Sequence, residues 1–581
     1  MRKRILWGFF LVLLCAASVI SQTSDQDQDA EKLKAERRSK LIAAISREAG
    51  EMILPENRAL ISARLGLTIW KEDPERSGTL FRNAVAGLIT AQDAAEANKN
   101  PNTRSQDLVN GQSTRQQILN SIAAVDAEYA LESLYRTRPI TVQKALVQRS
   151  SAKLNNNGGN PMYIAQQEIA MEQRFIRLAA EQKPQKSVEL LKEAIKKQLS
   201  NETLPMLKKV WEKEPMAGND LANGVVDRLI STSFTGPNNQ INFELLNLSN
   251  SVLTEFIRDR QPEEKAIAFD ESRMRTLAQK VIATYIEKGP MMGYIPYSSL
   301  EPLGRRLVSP ALIAQAKKAA ESAPGYGHGR HTEQDPEYAK LMATNPSADT
   351  LLAEAKKFSP DMRRSMYQNA ANKLSDSGQY ERALALLSDQ FEDDALDNAI
   401  SSLNWYHAHL LVQRGDYDGA EAMMMQFNDS NRISALTQLA KTIYNKDPKE
   451  NRSRANALLQ RVRSLMPERP ETSNDFTQLF QLINTMATIE PNDAFRNLEP
   501  VVPRINELTE AWAVVNAFQN GNIRQGEYSM AGGYNMGLYV DPSMLRTLGQ
   551  NDFQRTMTII DGLSRREMRV TILLSLLEIG I

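Results

Sequence analysis

The feature that most constrains the fold is a helix-pair pattern that occurs twice between Ser359 and Pro448 and then continues into a third copy. Both copies carry the motif Gly-x-Tyr-x-x-Ala. Its two occurrences, 37 residues apart, are Gly378, Tyr380 and Ala383, and then Gly415, Tyr417 and Ala420. A period of this length is typical of helical-hairpin repeats, in which each repeat buries its apolar face only against its neighbours. The pattern therefore predicts an α-solenoid.

The first copy contains start and stop signals for a helix. Ser359 supplies an N-cap, and Pro360 follows at the first helical position, where its missing N–H costs nothing. Apolar residues then recur every four positions, at Met362, Met366, Ala370 and Leu374. Gly378 is placed to end the helix, because a C-terminal cap needs positive φ and glycine adopts it without strain. The second helix is predicted to present the facing stripe of Tyr380, Ala383, Leu384 and Leu387.

Related segments occur in the other half of the chain. Residues 57–74 match residues 431–448 without a gap, with seven of eighteen positions identical, and residues 118–134 match residues 482–498. The two offsets, 374 and 364, are both close to ten repeat periods of about 37 residues. The two halves thus carry related repeats, and both duplication of a whole half and simple repeat periodicity account for the matches.

The rest of the chain favours helices throughout. No stretch alternates apolar and polar residues between turn signals as a strand does, so the sequence predicts an all-α protein of helical hairpins. Residues 162–199 have the pattern of a helix pair divided at Lys183-Pro184. Residues 98–114 are rich in Asn, Ser, Gln and Gly without apolar rhythm and predict a loop.

These patterns divide the chain into seven segments. We expect a signal peptide at 1–21, a flexible leader at 22–30, an N-terminal helical-repeat half at 31–288, an irregular connector at 289–345, C-terminal repeats at 346–521, a Gly/Tyr-rich insertion at 522–545 and a terminal helix pair at 546–581. Helix-breaking Gly and Pro at 289–302 and 324–336 mark the boundary between the halves.

The Gly-x-Tyr-x-x-Ala units resemble tetratricopeptide repeats, a family of stacked helical hairpins. The phrase Asn-Arg…Leu…Trp/Tyr…Asp-Pro, present in both halves, also resembles uncharacterised exported helical-repeat proteins of bacteria. The first resemblance implies a solenoid fold, and the second implies a bacterial protein outside the cytoplasm. Neither implies an enzymatic activity.

The N-terminus predicts export. Basic residues at positions 2–4 precede an apolar run from Ile5 to Ile20, which is short for a membrane span and is followed by small and polar residues. Cleavage after Ser21 would place the mature chain in the periplasm or outside the cell, with no transmembrane segment. An alternative, lipid attachment at Cys15, has Leu14 where a small residue is expected. Loss of Cys15, the single cysteine, would exclude disulfides.

Charge argues against nucleic acid as a partner. The 581 residues include 70 basic and 70 acidic side chains, and removing the three basic residues at positions 2–4 leaves 67 against 70. Phosphate binding needs a concentrated basic surface, and the lysine clusters of this chain lie beside acidic residues. We therefore expect no nucleic-acid partner, and no pattern specifies an oligomeric state.

Two segments outside the repeats combine methionine with aromatic residues, a composition enriched at protein interfaces. The residues that we expect to form a binding surface are Met291, Met292, Tyr294, Tyr297, Tyr528, Tyr534 and Tyr539. An equally supported interpretation is that both segments fold back and cover an apolar groove of the protein itself. Solenoids commonly bind protein or peptide partners on such surfaces.

Chemical motifs are weak by comparison. His328 and His331 lie near Glu333 and Asp335, but without the spacing of a known zinc motif a surface loop is the stronger interpretation, and we expect no metal or cofactor. Ser150 and Lys153 have a nucleophile–lysine spacing that chance explains. The sequence therefore favours a non-enzymatic, exported scaffold that binds proteins or peptides. The alternative is an envelope enzyme that acts on peptidoglycan or peptides through an unrecognised site.

Overall fold

The computed structural model of the protein describes residues 31–97, 101–148, 161–182, 187–235, 241–259, 264–288, 297–321, 336–520, 523–530 and 542–580. Helices make up nearly all of these ranges. Within them the strands are one two-stranded pair near the C-terminus and an isolated bridge between Thr235 and Ile241. The prediction of an all-α protein is confirmed.

The first fourteen α-helices occupy the chain up to Glu321. They are α1 (31–51), α2 (Pro55–Ile69), α3 (Pro74–Ala97), α4 (Pro101–Ala123), α5 (Ala127–Arg136), α6 (Ile140–Gln148), α7 (Pro161–Gln182), α8 (Ser187–Lys197), α9 (Thr203–Lys213), α10 (Pro215–Ser231), α11 (Phe243–Ile257), α12 (Glu271–Lys288), α13 (Tyr297–Leu300) and α14 (Pro310–Glu321). A 3₁₀ turn at Glu301–Arg305 follows α13. Proline opens five of the first ten helices, as expected for a residue that tolerates the first helical position.

The remaining helices follow from Pro336. They are α15 (Pro336–Ala343), α16 (Ala348–Ala355), α17 (Pro360–Asp376), α18 (Tyr380–Gln390), α19 (Asp393–Arg414), α20 (Tyr417–Met424), α21 (Asp429–Lys446), α22 (Arg452–Ser464), α23 (Ser473–Ile489), α24 (Pro491–Leu498), α25 (Val502–Asn520), α26 (Pro542–Asn551), α27 (Phe553–Asp561) and α28 (Arg566–Ile579). A 3₁₀ turn at Glu499–Val501 joins α24 to α25. The strands β1 (Ile523–Arg524) and β2 (Glu527–Tyr528) follow α25 as an antiparallel hairpin.

The chain forms two compact units. The N-terminal unit contains the described residues within Ile53–His331 and Ser529–Gly532, and the C-terminal unit contains those within Met1–Met52, Thr332–Tyr528 and Gly533–Ile581. Within each unit, helices pack on the next helix in the chain and on the next but one. Examples are α2 on α3 and α4 in the first unit, and α17 on α18 and α19 in the second. Such packing, in which each hairpin contacts its sequence neighbours, is that of an α-solenoid.

The repeat signals have the expected structural roles. Gly378 and Gly415 both have φ of +79°. Gly378 is the second residue after the end of α17, and Gly415 directly follows α19. The amide of Gln379 donates to the carbonyl of Leu374 at 2.8 Å, which closes the last turn of α17. Ala383 and Leu387 are fully buried and share a hydrophobic cluster with Leu374 of α17. Met366 and Ala370, also of the predicted α17 stripe, lie instead in the cluster that α17 forms with α15 and α16. The predicted stripes therefore form the core of this hairpin only in part.

The two pairs of matching segments fall on equivalent elements. Residues 57–74 cover most of α2 and the first residue of α3, and residues 431–448 cover most of α21 and the turn before α22. Residues 118–134 run from the end of α4 through most of α5, and residues 482–498 run from the end of α23 through α24. In every case the match spans a helix end and the turn to its partner.

The prediction of a loop at residues 98–114 is wrong for the residues that the structure describes there, because α4 is helical from Pro101. The C-terminal half of α4 is anchored by Ile118, Leu119 and Ile122, which are fully buried. Once these residues fix the helix against α2 and α3, each further turn adds hydrogen bonds at little cost, so the polar N-terminal half also becomes helical.

Helix α1 belongs to the C-terminal unit, whereas the sequence grouped residues 31–288 together. Its apolar residues Leu41 and Ile45 are fully buried. Glu48 accepts a hydrogen bond from Arg569 of α28 at 2.8 Å, and Arg38 donates to the carbonyl of Leu577 at 3.4 Å. The first described helix therefore packs on the last one.

Candidate functional site

The predicted binding residues are only partly described by the structure. Those that lie outside the described residues are Met291, Met292, Tyr294, Tyr534 and Tyr539. Tyr297 begins α13 in the N-terminal unit and is half-buried against that unit's hydrophobic core. Tyr528 lies in β2 of the C-terminal unit and is 3% exposed. Tyr528 therefore contributes to internal packing, as the alternative interpretation of this segment expects.

The hairpin that holds Tyr528 packs on α25. Its two-residue loop is Gln525 and Gly526, which both have positive φ, as a tight hairpin turn requires. The ring of Tyr528 contacts Trp512 of α25 edge-on, with centroids 5.6 Å apart, and its amide donates to the carboxylate of Glu567 at 2.6 Å. Burial raises the pKa of Glu567, although this hydrogen bond opposes the shift. These contacts fix the hairpin on the helices.

The residues that the sequence offered for metal binding or nucleophilic chemistry are not described by the structure. His328, His331, Glu333 and Asp335 lie outside the described residues, as do Ser150 and Lys153. Among the described residues, no group of three or more His, Cys, Asp or Glu is arranged to hold a metal.

One serine–histidine contact resembles a nucleophile–base pair. Ser375 Oγ lies 2.8 Å from Nδ1 of His407, whose ring stacks on Tyr380 with centroids 4.4 Å apart. Ser375 is fully buried, so a substrate cannot reach its hydroxyl. Burial, together with the charge of Arg414, lowers the pKa of His407. The arrangement supports packing of α17 on α19, not catalysis.

An open cavity of about 390 Å³ lies beside the N-terminal half of α25. We call it the arginine cleft. The charged residues that line it are Arg463, Arg469, Arg496, Arg504, Glu468 and Glu507. The lining has four arginines and two glutamates, and the nearly buried Asp493 contacts Arg496, so an excess of one positive charge remains. A cavity of this size and charge is suited to an anionic group of a ligand.

Internal contacts position these arginines differently. Arg463 is held by Asn497 Oδ1 at 2.9 Å and by the carbonyl of Pro467 at 3.1 Å, so it forms a fixed wall. Arg504 and Arg469 both contact the Glu507 carboxylate, at 2.7 and 2.9 Å. The hydrogen bond from Arg504 and the charges of both arginines lower the pKa of Glu507. Glu507 is therefore an internal counter-ion of the cleft at neutral pH.

The same helix continues beyond the cleft with an exposed apolar surface. Ile505, Thr509 and Ala513 face the protein interior and are at most 3% exposed. The opposite face carries Ala511, Val514, Val515 and Phe518; Val514 is 72% and Phe518 92% exposed. We call these four residues the apolar stripe. Exposed aromatic and aliphatic side chains grouped on one face are a mark of interaction surfaces.

The sequence contained one signal for the apolar stripe that was missed. Residues 511–518 read Ala-Trp-Ala-Val-Val-Asn-Ala-Phe, which is apolar around nearly the whole circumference of a helix. A helix of this type is either buried on all sides or contacts a partner. The arginine cleft had no such signal, because Arg463 and Arg504 are 41 residues apart in the chain.

A second, smaller cleft of about 200 Å³ occurs in the N-terminal unit and is lined in part by Arg115 and Glu168. Both side chains are at most 3% exposed. Glu168 accepts from Arg115 Nη1 at 2.7 Å and Nη2 at 2.9 Å, and from Arg138 Nε at 2.7 Å. Arg115 also donates to the hydroxyl of Thr137 at 3.0 Å. The cluster connects α4, α5 and α7. Because its charged groups are paired with one another, none is left to bind a charged ligand.

Comparisons with known proteins add no functional assignment. No protein-family model matches the chain, and no curated protein matches it. Among solved structures, a circular tandem repeat protein with novel repeat topology and enhanced subunit contact surfaces is similar at 13% identity over 93% of this chain and 97% of that chain, with a TM-score of 0.13. The resemblances to tetratricopeptide repeats and to exported bacterial proteins stay predictions. Among the described residues, no helix is both long and apolar enough to cross a membrane.

Proposed function

We propose that this chain is an exported, non-enzymatic helical-repeat scaffold that binds a protein or peptide partner in the bacterial cell envelope. The observation that carries the proposal is the apolar stripe. Phe518 lies on the helix face opposite the core and is 92% exposed. Leaving such a surface in water forgoes about 1.5–3 kcal/mol for each large side chain that a partner would bury. A bound partner recovers that free energy.

Export rests on the N-terminal sequence. The basic start, the apolar run from Ile5 to Ile20 and the polar residues after Ser21 have the order of a secretory signal. Fractionation of a bacterial host that produces the full chain, or the chain without residues 1–21, tests this part. The full chain is expected outside the cytoplasm and the shortened chain inside it. Equal distribution of both chains would remove export from the proposal.

The enzymatic alternative has no supporting geometry in the described residues. Its best nucleophile–base pair, Ser375 with His407, is inaccessible to substrate. The buried Glu567 carboxylate is occupied by the Tyr528 amide.

Photo-cross-linking tests the binding function directly. A photoreactive amino acid replaces Phe518 in one variant of the full chain and Arg364 in another. Arg364 lies on α17 and is also accessible, with its side chain 65% exposed. In envelope preparations the Phe518 variant is expected to yield a discrete cross-linked protein that the Arg364 variant does not. The same adducts at both positions, or none at Phe518, would refute the proposed binding surface.

A further inference from the structure

The outer face of α25, from the half-buried Arg504 to the exposed Phe518, has the spacing of a helix-packing seam. Arg504, Ala511 and Phe518 lie seven residues apart, and Glu507 and Val514 fall between them at steps of three and four. This alternation is the pattern that allows two helices to pack side by side along one continuous seam. At 1.5 Å per residue, the 14 steps from Arg504 to Phe518 extend about 21 Å. The seam is long enough for about four turns of a second helix.

The two ends of the seam differ in chemistry. The N-terminal end, at Arg504 and Glu507, forms part of the arginine cleft. The C-terminal end, at Val514 and Phe518, is apolar and exposed. A helix that is apolar along its whole contact face would leave the arginines without an added partner, and a wholly acidic one would leave Phe518 in water. Charge and apolar complementarity together select a partner with both properties.

We propose that an amphipathic helix of a partner protein packs along this seam, with acidic side chains at the arginine cleft and apolar side chains over the apolar stripe. This inference rests on the proposed function and names the chemistry of the partner. Arg469 and Arg496 are the cleft arginines best placed to receive the acidic side chains, because their side chains are 66% and 71% exposed. Each contacts one internal carboxylate, Glu507 and Asp493 respectively.

Glu507 partly neutralises the arginine cleft. Its carboxylate holds both Arg504 and Arg469, so it competes with an incoming acidic side chain. Replacing it by glutamine removes the negative charge and keeps the size of the side chain. Acidic-helix binding should therefore become about two- to fivefold tighter in Glu507→Gln, the range expected for an exposed charge pair. If Glu507 only held the two arginines in place, Glu507→Gln would not bind the acidic helix more tightly.

The probes are labelled 15-residue helical peptides, measured against the full chain by fluorescence anisotropy. One carries Glu at positions 1 and 4 and Leu at positions 8, 11 and 15, and a second carries the reversed order. The remaining positions are Ala and Gln. Matched peptides have Lys in place of Glu. The acidic peptide in one of the two orders is expected to bind at least about tenfold tighter than its Lys counterpart, with the difference reduced by high salt.

Variants at exposed positions are expected to keep the fold, and circular dichroism of each variant checks this. Arg469→Glu and Arg496→Glu are each expected to weaken binding of the acidic peptide about fivefold and to improve binding of the Lys peptide. Phe518→Ser is expected to weaken both peptides at least about tenfold, as for the loss of a large aromatic anchor from an interface. Arg364→Glu, on α17 and 65% exposed, is the matched charge reversal and is expected to change neither.

The possible outcomes separate an acidic helix from other occupants of the seam. Peptide binding that is lost in Phe518→Ser but does not distinguish Glu from Lys would overturn the acidic-helix partner and leave the proposed function standing. No binding of any peptide to the intact chain would also overturn it. Sedimentation that shows a dimer abolished by Phe518→Ser would overturn it too, by assigning the seam to a second copy of the chain. Failure of cross-linking at Phe518, in contrast, counts against the proposed function itself.

Discussion

Removal of the Glu168 carboxylate is expected to be among the most damaging single changes in the N-terminal unit. Glu168 accepts three hydrogen bonds from charged donors, two from Arg115 and one from Arg138. Such bonds contribute about 1.5–3 kcal/mol each, but burying the carboxylate itself cancels part of that sum. The larger effect is on Arg115, which would keep its charge at 3% exposure with no carboxylate opposite it. We expect Glu168→Ala to lower the free energy of unfolding by about 3–5 kcal/mol.

The surface pair of Glu132 and Arg136 provides a matched control. It lies on α5 at 3.5 Å with both side chains more than half exposed, so Glu132→Ala should cost no more than about 0.5 kcal/mol. Urea unfolding followed by circular dichroism measures both variants, and hydrogen exchange of α4 and α7 locates the loss. A loss below about 1 kcal/mol in the free energy of unfolding of Glu168→Ala would refute the reasoning, because a buried arginine without a carboxylate partner should destabilise the fold by more than this.

A second variant separates lost charge pairing from lost packing. Replacing Arg115 and Glu168 together by methionine removes both buried charges and keeps apolar volume between α4 and α7. Since buried ion pairs can be exchanged for well-packed apolar residues at little cost, the double variant is expected to be more stable than Glu168→Ala. If it is less stable, the packing geometry of the site outweighs its electrostatics.

Three further predictions concern single positions. In thermal unfolding, Gly218→Ala should destabilise the N-terminal unit by about 1–3 kcal/mol, because the new Cβ would lie 2.6 Å from the Trp211 Cα. Gly224→Ala is the control: a Cβ there faces open space on the same helix, so this variant should be neutral or stabilising. Gly378→Ala should cost about 1–2 kcal/mol because φ is +79° there, and Gly378→Asn should cost less in the same assay, since asparagine tolerates this conformation; equal costs would contradict this. The pKa of Glu567 in the folded chain is raised above its ordinary value of 4.5, so the wild type should lose stability relative to Glu567→Gln as pH rises from 4.5 to that raised pKa. The loss should be about 1.4 kcal/mol for each pH unit in which only the folded chain keeps the proton. Urea unfolding between pH 4 and 8 measures both chains, and a constant difference in stability would contradict this.

Much of the fold follows from short-range sequence patterns. The structure contains the helix ends predicted by the glycines at 378 and 415. It also contains helices that begin at prolines and present the four-residue apolar stripes. These signals work because helix capping and backbone φ are local properties. The error at residues 98–114 has the same origin. Local composition there favours a loop, whereas the buried residues of α4 between Ile118 and Ile122 make the segment helical through packing.

The candidate site was much less accessible to sequence reasoning. Composition indicated Tyr528 as a binding residue, but in the structure its side chain is buried and its ring packs on Trp512 of α25. The arginine cleft combines side chains from α22, α24, α25 and the segments between them. Of its neighbour, the apolar stripe, only the nearly all-round apolar run at 511–518 could be read from the sequence, and that run does not say which side meets the core.

Local sequence was enough to specify that this chain folds into helical hairpins, and where many of those helices begin and end, because caps, glycines and apolar spacing act within one or two turns. Which surfaces the helices cover depends instead on the packing of distant segments. Helix α1 packs on α28 although Glu48 and Arg569 are 521 residues apart, and no local signal specifies such a pairing. The same is true of α25. Its apolar residues are nearly continuous around the helix, so the packing of its neighbours alone determines that Ala513 is buried and Phe518 exposed.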